Sequence, residues 1–381
     1  MNIKRSPILF LIAIFITVSL ACSSVSEFTA TATPEPTPTS TPAPPPTLTP
    51  TPDVPLSTSG NPIVVEAGDL RLTTERFEHP RGFVSFNVMD GWQVDHDDVS
   101  ASMTDLNTGV VYKITATNTG YELDADAYAI FRDANEEAFI YADEYKEIDS
   151  GETAAIKLHY TEKTYTRSDG MKMFAFSMYQ QFENVIITTE LIGASEFVQA
   201  DPANPYRIMF DSYGQTIQVS SSVASNFEMY EERWQYQAGD VNASLIVPWS
   251  WTFFTDQSEG FQYANFYSPD FAAYAQFVRQ DTVKLSKELG LDFAVSYLNI
   301  VHSNGGADVQ INQFGEMEEL EEGLYFFDWE SKNAGKAGLL KYDIRVPNKL
   351  IMVVTIVQDQ DLLPLYASLL GEISGSYKLT R

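Results

Sequence analysis

The sequence predicts an α+β protein of two tandem domains, each an antiparallel sheet flanked by helices, carried behind a disordered spacer. Three observations predict it. A stretch beginning at Glu75 recurs at Glu232, the same succession of alternating strands and one amphipathic helix follows each copy, and a Thr/Pro-rich run separates both from an apolar N-terminus. The expected divisions are a signal peptide over 1–21, a lipid-anchored disordered linker over 22–62, a first domain over 63–226 and a second over 227–381.

The N-terminal segment sets the place of action. Lys4 and Arg5 precede an apolar run from Ile8 to Leu20, too short to cross a bilayer of about 30 Å as a stable helix and therefore an export signal. Small side chains at Ser19 and Ala21 suit a signal peptidase, and cleavage after Ala21 leaves Cys22, the only cysteine, at the new terminus. Leu20, Ala21 and Cys22 resemble the lipobox of bacterial lipoproteins, with Ser19 where Leu is usual. That resemblance implies acylation of the Cys22 sulfur and a location on the extracytoplasmic face of a bacterial cell membrane. Ser-Leu-Ala also suits the general signal peptidase, which would release a soluble chain with a free thiol. An unpaired reactive cysteine at the mature end of an exported chain favours lipidation. Two acyl chains, at ~0.8 kcal/mol per buried CH₂, anchor stably where one is marginal.

Between Thr29 and Ser59 stand ten of the nineteen prolines and almost no large apolar residue, so this stretch buries no core and stays extended. At ~3.1 Å per residue it would carry a domain well clear of the headgroups. Losing Lys4 and Arg5 with the signal takes the formal charge from -28 to -30. Such acidity argues against nucleic acid and anionic lipid surfaces as partners. The membrane, through the N-terminal lipid, and an envelope protein or glycan remain as expected partners.

Within the repeat, Glu75-Arg76-Phe77 matches Glu232-Arg233-Trp234, and the strands that follow place Val84, Phe86 and Val88, or Ala243, Leu245 and Val247, on one face. Turns are expected after Met103 and Phe266. Helices follow, with Ala127, Ile130, Phe131, Ala134, Ala138 and Tyr141 lining the core side of the first and Leu285, Leu289, Phe293, Tyr297 and Val301 that of the second. Long strands come next, "AAIKLHY", "MFAFSMYQQ" and "NVIITTELIG" in copy one, "LYFFDW", "LLKYDIRV" and "KLIMVVTIVQ" in copy two, with hairpin turns at Asn184 and Pro347-Asn348. Each copy closes on a short helix, Tyr206 to Tyr213 and Leu362 to Leu370, stopped by Gly214 or Gly371 before a last strand.

The order of these elements, with Phe86-Asn87-Val88-Met89-Asp90-Gly91-Trp92 and Ser244-Leu245-Ile246-Val247-Pro248-Trp249-Ser250-Trp251 as its markers, resembles the Mog1/PsbP-like α/β/α sandwich. Met89 and Asp90 stand where that pattern has Pro, and Ser250 where it has Gly. The resemblance implies two sandwich domains and a non-enzymatic module that binds or assists other macromolecules, with no cofactor. The competing expectation is a solute-binding lipoprotein with a small-molecule or glycan site between the copies, and hydrolase is third.

Chemistry-bearing residues are sparse. His79, His96, His159 and His302 are scattered, without a His-Glu-x-x-His or Gly-x-Ser-x-Gly pattern, and no catalytic set is assigned. Asp95 to Asp98, with Asp124 and Asp126, offer oxygen ligands but no calcium loop; they read as a solvated turn and an acidic helix start, and no metal site is assigned. Glu316 to Glu322 read as an exposed charged face. Trp249 and Trp251 share the parity of Val247, and with Trp234 and Trp329 are expected in the core, where Trp92 and Trp251 form a repeated plug; an exposed subset would suit sugar stacking.

Overall fold

In the computed structural model the strand alternation holds: Val84 and Phe86 are buried, as are Ala243, Leu245 and Val247, while Val88 is only half-buried because Met89 takes the core at that strand's end. The structure describes residues 65–140, 142–258, 260–303, 308–311 and 318–380. The signal segment, Cys22 and the Thr/Pro spacer lie outside them, as do Tyr141, the side chain of Ala138, and Glu316 and Met317 of the acidic run. The described residues group as one compact unit.

The first half comprises β1 (Val65–Ala67), β2 (Leu70–Glu78), β3 (Val84–Met89), β4 (Gln93–His96), β5 (Ser100–Thr104), β6 (Val111–Asn118), α1 (Ala125–Ile140), β7 (Asp143–Thr153), β8 (Leu158–Thr166), β9 (Lys172–Phe182), β10 (Val185–Ala194), α2 (Pro205–Gly214), β11 (Gln218–Val219) and the single turn α3 (Ser221–Ala224). The second comprises β12 (Arg233–Ala238), β13 (Ala243–Pro248), β14 (Thr252–Ser258), β15 (Phe261–Tyr267), β16 (Ala273–Asp281), α4 (Lys287–His302), β17 (Val309–Ile311), β18 (Glu318–Glu321), β19 (Leu324–Ser331), β20 (Lys336–Asp343), β21 (Lys349–Val357), α5 (Leu363–Gly375) and β22 (Lys378–Leu379). Sheet β1-β2-β3-β11 lies against β4-β5-β6-β10-β9-β8-β7; the second half repeats the order as β12-β13-β22 and β14-β15-β16-β21-β20-β19-β17, with β18 added on β19.

One apolar cluster fills the first half between its two sheets and α2, and another lies under α4 in the second. A third fills the second half between its sheets and α5 and runs on into Leu123, Ala127 and Phe131 of the first. The connection between the halves is tightly held: Asn118 Nδ2 donates to the carbonyls of Ser225 at 3.1 Å and Phe227 at 2.7 Å, and Tyr230 N donates to Asn118 O at 2.9 Å. Gly120, at φ +83°, leaves room for Met229, whose sulfur would lie 2.6 Å from a Cβ there.

Three expectations are corrected, and one strand is new. The core side of α4 is Gly290, Ala294, Tyr297, Leu298 and His302, with Leu289 and Val301 exposed; small residues let the helix approach the sheet, and Gly290 packs on the Tyr342 ring. Gly371 does not stop α5, which runs to Gly375. Ala154–Ile156 form a 3-10 turn ending at Lys157 with φ 46°, so β8 begins at Leu158. Before it lies β7, an exposed, charged edge strand with two register shifts, a form that resists pairing with other chains and hides from any search for apolar alternation.

Candidate functional site

The helix over each large sheet turns a stripe to solvent, and the two stripes differ. On α1 the buried residues include Ala127, Phe131, Ala134 and Glu136, which leaves Asp126, Ile130, Asp133 and Glu137 along the outer side. Matching buried sides, with Gly290 on Ala127 and Ala294 on Phe131, puts Leu289, Phe293, Ser296 and Ile300 at those positions of α4, of which Phe293 is half-buried against the cluster under the helix, as expected. Leu289 is 39% and Ile300 79% exposed. Exposed Glu288 and Asp292 flank the stripe. Exposed large apolar side chains such as Leu289 and Ile300 on an outer helix face are what a partner surface covers.

Beneath the helices the contrast reverses. Under α1 the sheet is ionic: Lys113 on β6 stands opposite Glu190 on β10, which stands opposite Ser177 on β9. Lys163 on β8, with no exposed side-chain surface, pairs with Glu136 of α1, donates to Ser177 Oγ at 2.8 Å and sits 4.0 Å from the Phe139 ring centroid. Tyr179 OH donates to the other Glu136 oxygen at 2.7 Å, and Ser177 donates to Glu190 at 3.3 Å. Lys113 reaches Glu232, at the start of the second half, at 3.2 Å. Burial pushes the Glu190 carboxyl up against the pull of Lys113 and Lys163. Burial also draws the Lys163 ammonium down, with Glu136 opposing. Lys113 is drawn down by burial too, but Glu232 and Glu190 outweigh it and leave it raised.

In the second half the equivalent row of positions is neutral. Asp105 N donates to Val110 O and Ser268 N to Ala273 O, which aligns the two turns. Ladder register then sets Gln276, Val354, Leu340 and Trp329 where Lys113, Glu190, Ser177 and Lys163 stand. Gln276 Oε1 accepts from Tyr297 OH at 3.0 Å and from His302 Nε2 at 3.1 Å, so His302 Nδ1 accepts from Tyr274 OH at 2.8 Å and the ring is neutral. Burial, aided by Lys336, pulls His302 to about 3. Between that value and 6.5 only the unfolded chain takes up the proton, so this group's contribution is present above pH 6.5 and is lost as pH falls through that window. The expected loss between pH 7 and 5 is about 2 kcal/mol. His302→Gln should flatten the acid slope of urea stability by that amount; parallel slopes for variant and parent would contradict it.

Two open clefts mark the surface, one on each half. The first, about 430 Å³, is lined by residues including Glu78, Ser85 and Gln218. The second, about 420 Å³, is lined by residues including Tyr236, Thr255, Gln262 and Arg279. Neither lies between the halves, where apolar side chains of both share one cluster and Arg81 pairs with Glu231 at 2.9 Å.

The residues singled out in the sequence take mostly structural places. His79 and His96 meet, with ring centroids 5.3 Å apart. His79 Nδ1 accepts from Arg81 N at 3.1 Å and Nε2 donates to Asp97 O at 2.7 Å, while the Ser100 hydroxyl donates to the Asp97 carboxylate at 2.8 Å. A His, an Asp and a Ser thus converge, wired as a turn, with no bond from the Ser100 hydroxyl to the imidazole. Asp97 Oδ1 accepts from Val99 N and Ser100 N, and Asp124 Oδ1 from Ala127 N at 2.9 Å, so both carboxylates serve the local backbone. Among the described residues no three His, Cys, Asp or Glu side chains gather as a metal site, and no helix is long and apolar enough to cross a membrane. His159 is half-buried on β8, and Glu318–Glu321 form an exposed strand. Trp251 and Trp329 are buried, Trp92 and Trp234 half-buried, and Trp249, beyond the end of β13, is 39% exposed.

No protein-family model matches the chain, and no curated protein does. Solved structures resemble parts of it. PsbP of the cyanobacterium Synechocystis sp. PCC 6803 is 14% identical over 39% of this chain and 93% of its own, with a TM-score of 0.32. The Ran-binding protein Mog1p of Saccharomyces cerevisiae is 10% identical over 39% of this chain and 97% of its own, with a TM-score of 0.29. LpqN of Mycobacterium tuberculosis, described as involved in cell envelope biogenesis, is 9% identical over 40% of this chain and 92% of its own, with a TM-score of 0.27.

Proposed function

We propose that this chain is a lipid-anchored, extracytoplasmic binding module of two tandem Mog1/PsbP-like domains, acting as an assembly accessory for a protein of the cell envelope. The observation that carries the reading is the outer side of α4, where exposed Leu289 and Ile300 occupy positions that α1 gives to Asp126 and Glu137. A solvated helix needs no such residues, and the first half does without most of them. Glu288 and Asp292 beside the stripe, and a formal charge of -28, fit a partner with an apolar patch rimmed by Lys or Arg.

A photo-cross-linker placed at Ile300 in producing cells should yield one discrete protein adduct that the same group at Glu137 does not. The purified partner should then lose at least tenfold in affinity for the Leu289→Asp variant. Equal adducts from both positions, or unchanged affinity, would sink the reading. Anchoring is tested separately: intact mass should show acylated Cys22, and Cys22→Ser should move the protein from membrane to medium.

A further inference from the structure

We propose that the second-half cleft is a binding site for a neutral saccharide, independent of the α4 stripe. Its floor follows from register. Thr255, Ala264 and Phe277 lie side by side across β14, β15 and β16, and Gln257, Gln262 and Arg279 form the next row on the same face. Ala264 and Phe277 are each 1% exposed and lie below the surface, so the cleft presents the side chains of Thr255, Gln257 and Gln262. Tyr236, from β12, supplies one wall, and its ring is fixed by Phe253, Phe266 and Phe277 at centroid distances of 5.7, 5.4 and 5.7 Å.

In the first half two imidazoles occupy the equivalent positions, and His79 also lines that half's own cleft. The repeat sets His79 against Tyr236, and the ladders set His96 against Thr255 and Ala101 against Ala264. There the two imidazoles meet at 5.3 Å and His79 spends both nitrogens on backbone groups. In the second half a short hydroxyl side chain replaces the second ring, so space opens beside an aromatic face.

The chemistry of the lining selects the ligand class. Among the described residues the side chains of Thr255, Gln257 and Gln262 have no hydrogen-bond partner, and hydroxyl and amide groups both donate and accept, as sugar hydroxyls do. A ring such as Tyr236 packs on the C–H face of a pyranose. Arg279 is already paired with Asp240, and Asp256 also lines the cleft, so no free cation waits for a phosphate or carboxylate.

The test uses the full chain with cellotetraose, maltotetraose, chitotetraose and mannotetraose, and with glucose 6-phosphate and spermidine as charged probes, read by saturation-transfer NMR and calorimetry. At least one neutral tetraose should bind saturably. Binding should fall at least tenfold in Gln262→Leu, and also in Thr255→His, which puts in the cleft the ring that the first half has at this position. Circular dichroism would confirm that both variants fold. Failure of all four tetraoses, survival of binding in both variants, or binding of only a charged probe would overturn the proposal.

Discussion

Replacing Lys163 by Met is expected to destabilise the protein by about 3–5 kcal/mol, because the ammonium that is lost is fully buried and its carboxylate partner stays behind. Glu136 would then face Glu190 across Ser177 with only Lys113 left, at the far end of the row. Urea unfolding followed by far-UV circular dichroism measures the cost. The triple variant Lys163→Met, Glu136→Leu, Tyr179→Phe removes the charge, its partner and the hydroxyl that would lose its acceptor, and should recover most of the loss. A single variant costing under about 1 kcal/mol, or a triple variant no better than the single, would contradict this account of the ionic row.

The second half is why recovery is expected. It builds the same sheet order and covers it with the same kind of helix, yet it fills the place of Lys163 with Trp329 and that of Glu190 with Val354. The fold therefore does not require charges under its helix. Retaining them in the first half, where Lys113 links Glu190 to Glu232, ties that helix face to the connection between the halves. An apolar face would pack there without specifying how the second half begins.

Legibility in the sequence followed residue size and alternation. Strands with inward Val, Leu and Phe, such as β3 and β13, were readable because their parity is unambiguous. The side of α4 facing the sheet was not, since it is made by Gly290, Ala294 and a neutral His302 while larger Leu289 and Ile300 face water. Strand β7 escaped because Asp143-Glu144-Tyr145-Lys146-Glu147 has no apolar period. The ionic row escaped for another reason: Lys113, Glu136, Lys163 and Glu190 are far apart in sequence, and only ladder register brings them together. One signal was present. Carrying the repeat through the turn after Asp105 and Ser268 aligns Lys113 with Gln276 and shows that one copy has charge where the other has none.

Trp329→Ala is expected to cost about 3–5 kcal/mol, the range for deleting a buried aromatic side chain. Trp329 is 1% exposed, within the cluster under α4. Among the described residues its indole N–H has no hydrogen-bond partner, so the loss is one of packing and cavity and not of a broken polar contact. Trp329→Leu should therefore regain roughly half of it by volume alone. Trp329→Lys separates the two halves' solutions most sharply. In the first half a lysine at this position is met by Glu136 from the helix and, through Ser177, by Glu190 from the sheet; the corresponding positions here are Asn299, whose amide already serves Val295 and Val309, and Val354. An ammonium placed there has no counter-charge, and the variant should be less stable than Trp329→Ala although it fills more space. If Trp329→Lys proved as stable as Trp329→Leu, the counter-charge would not be what admits Lys163 to the first half.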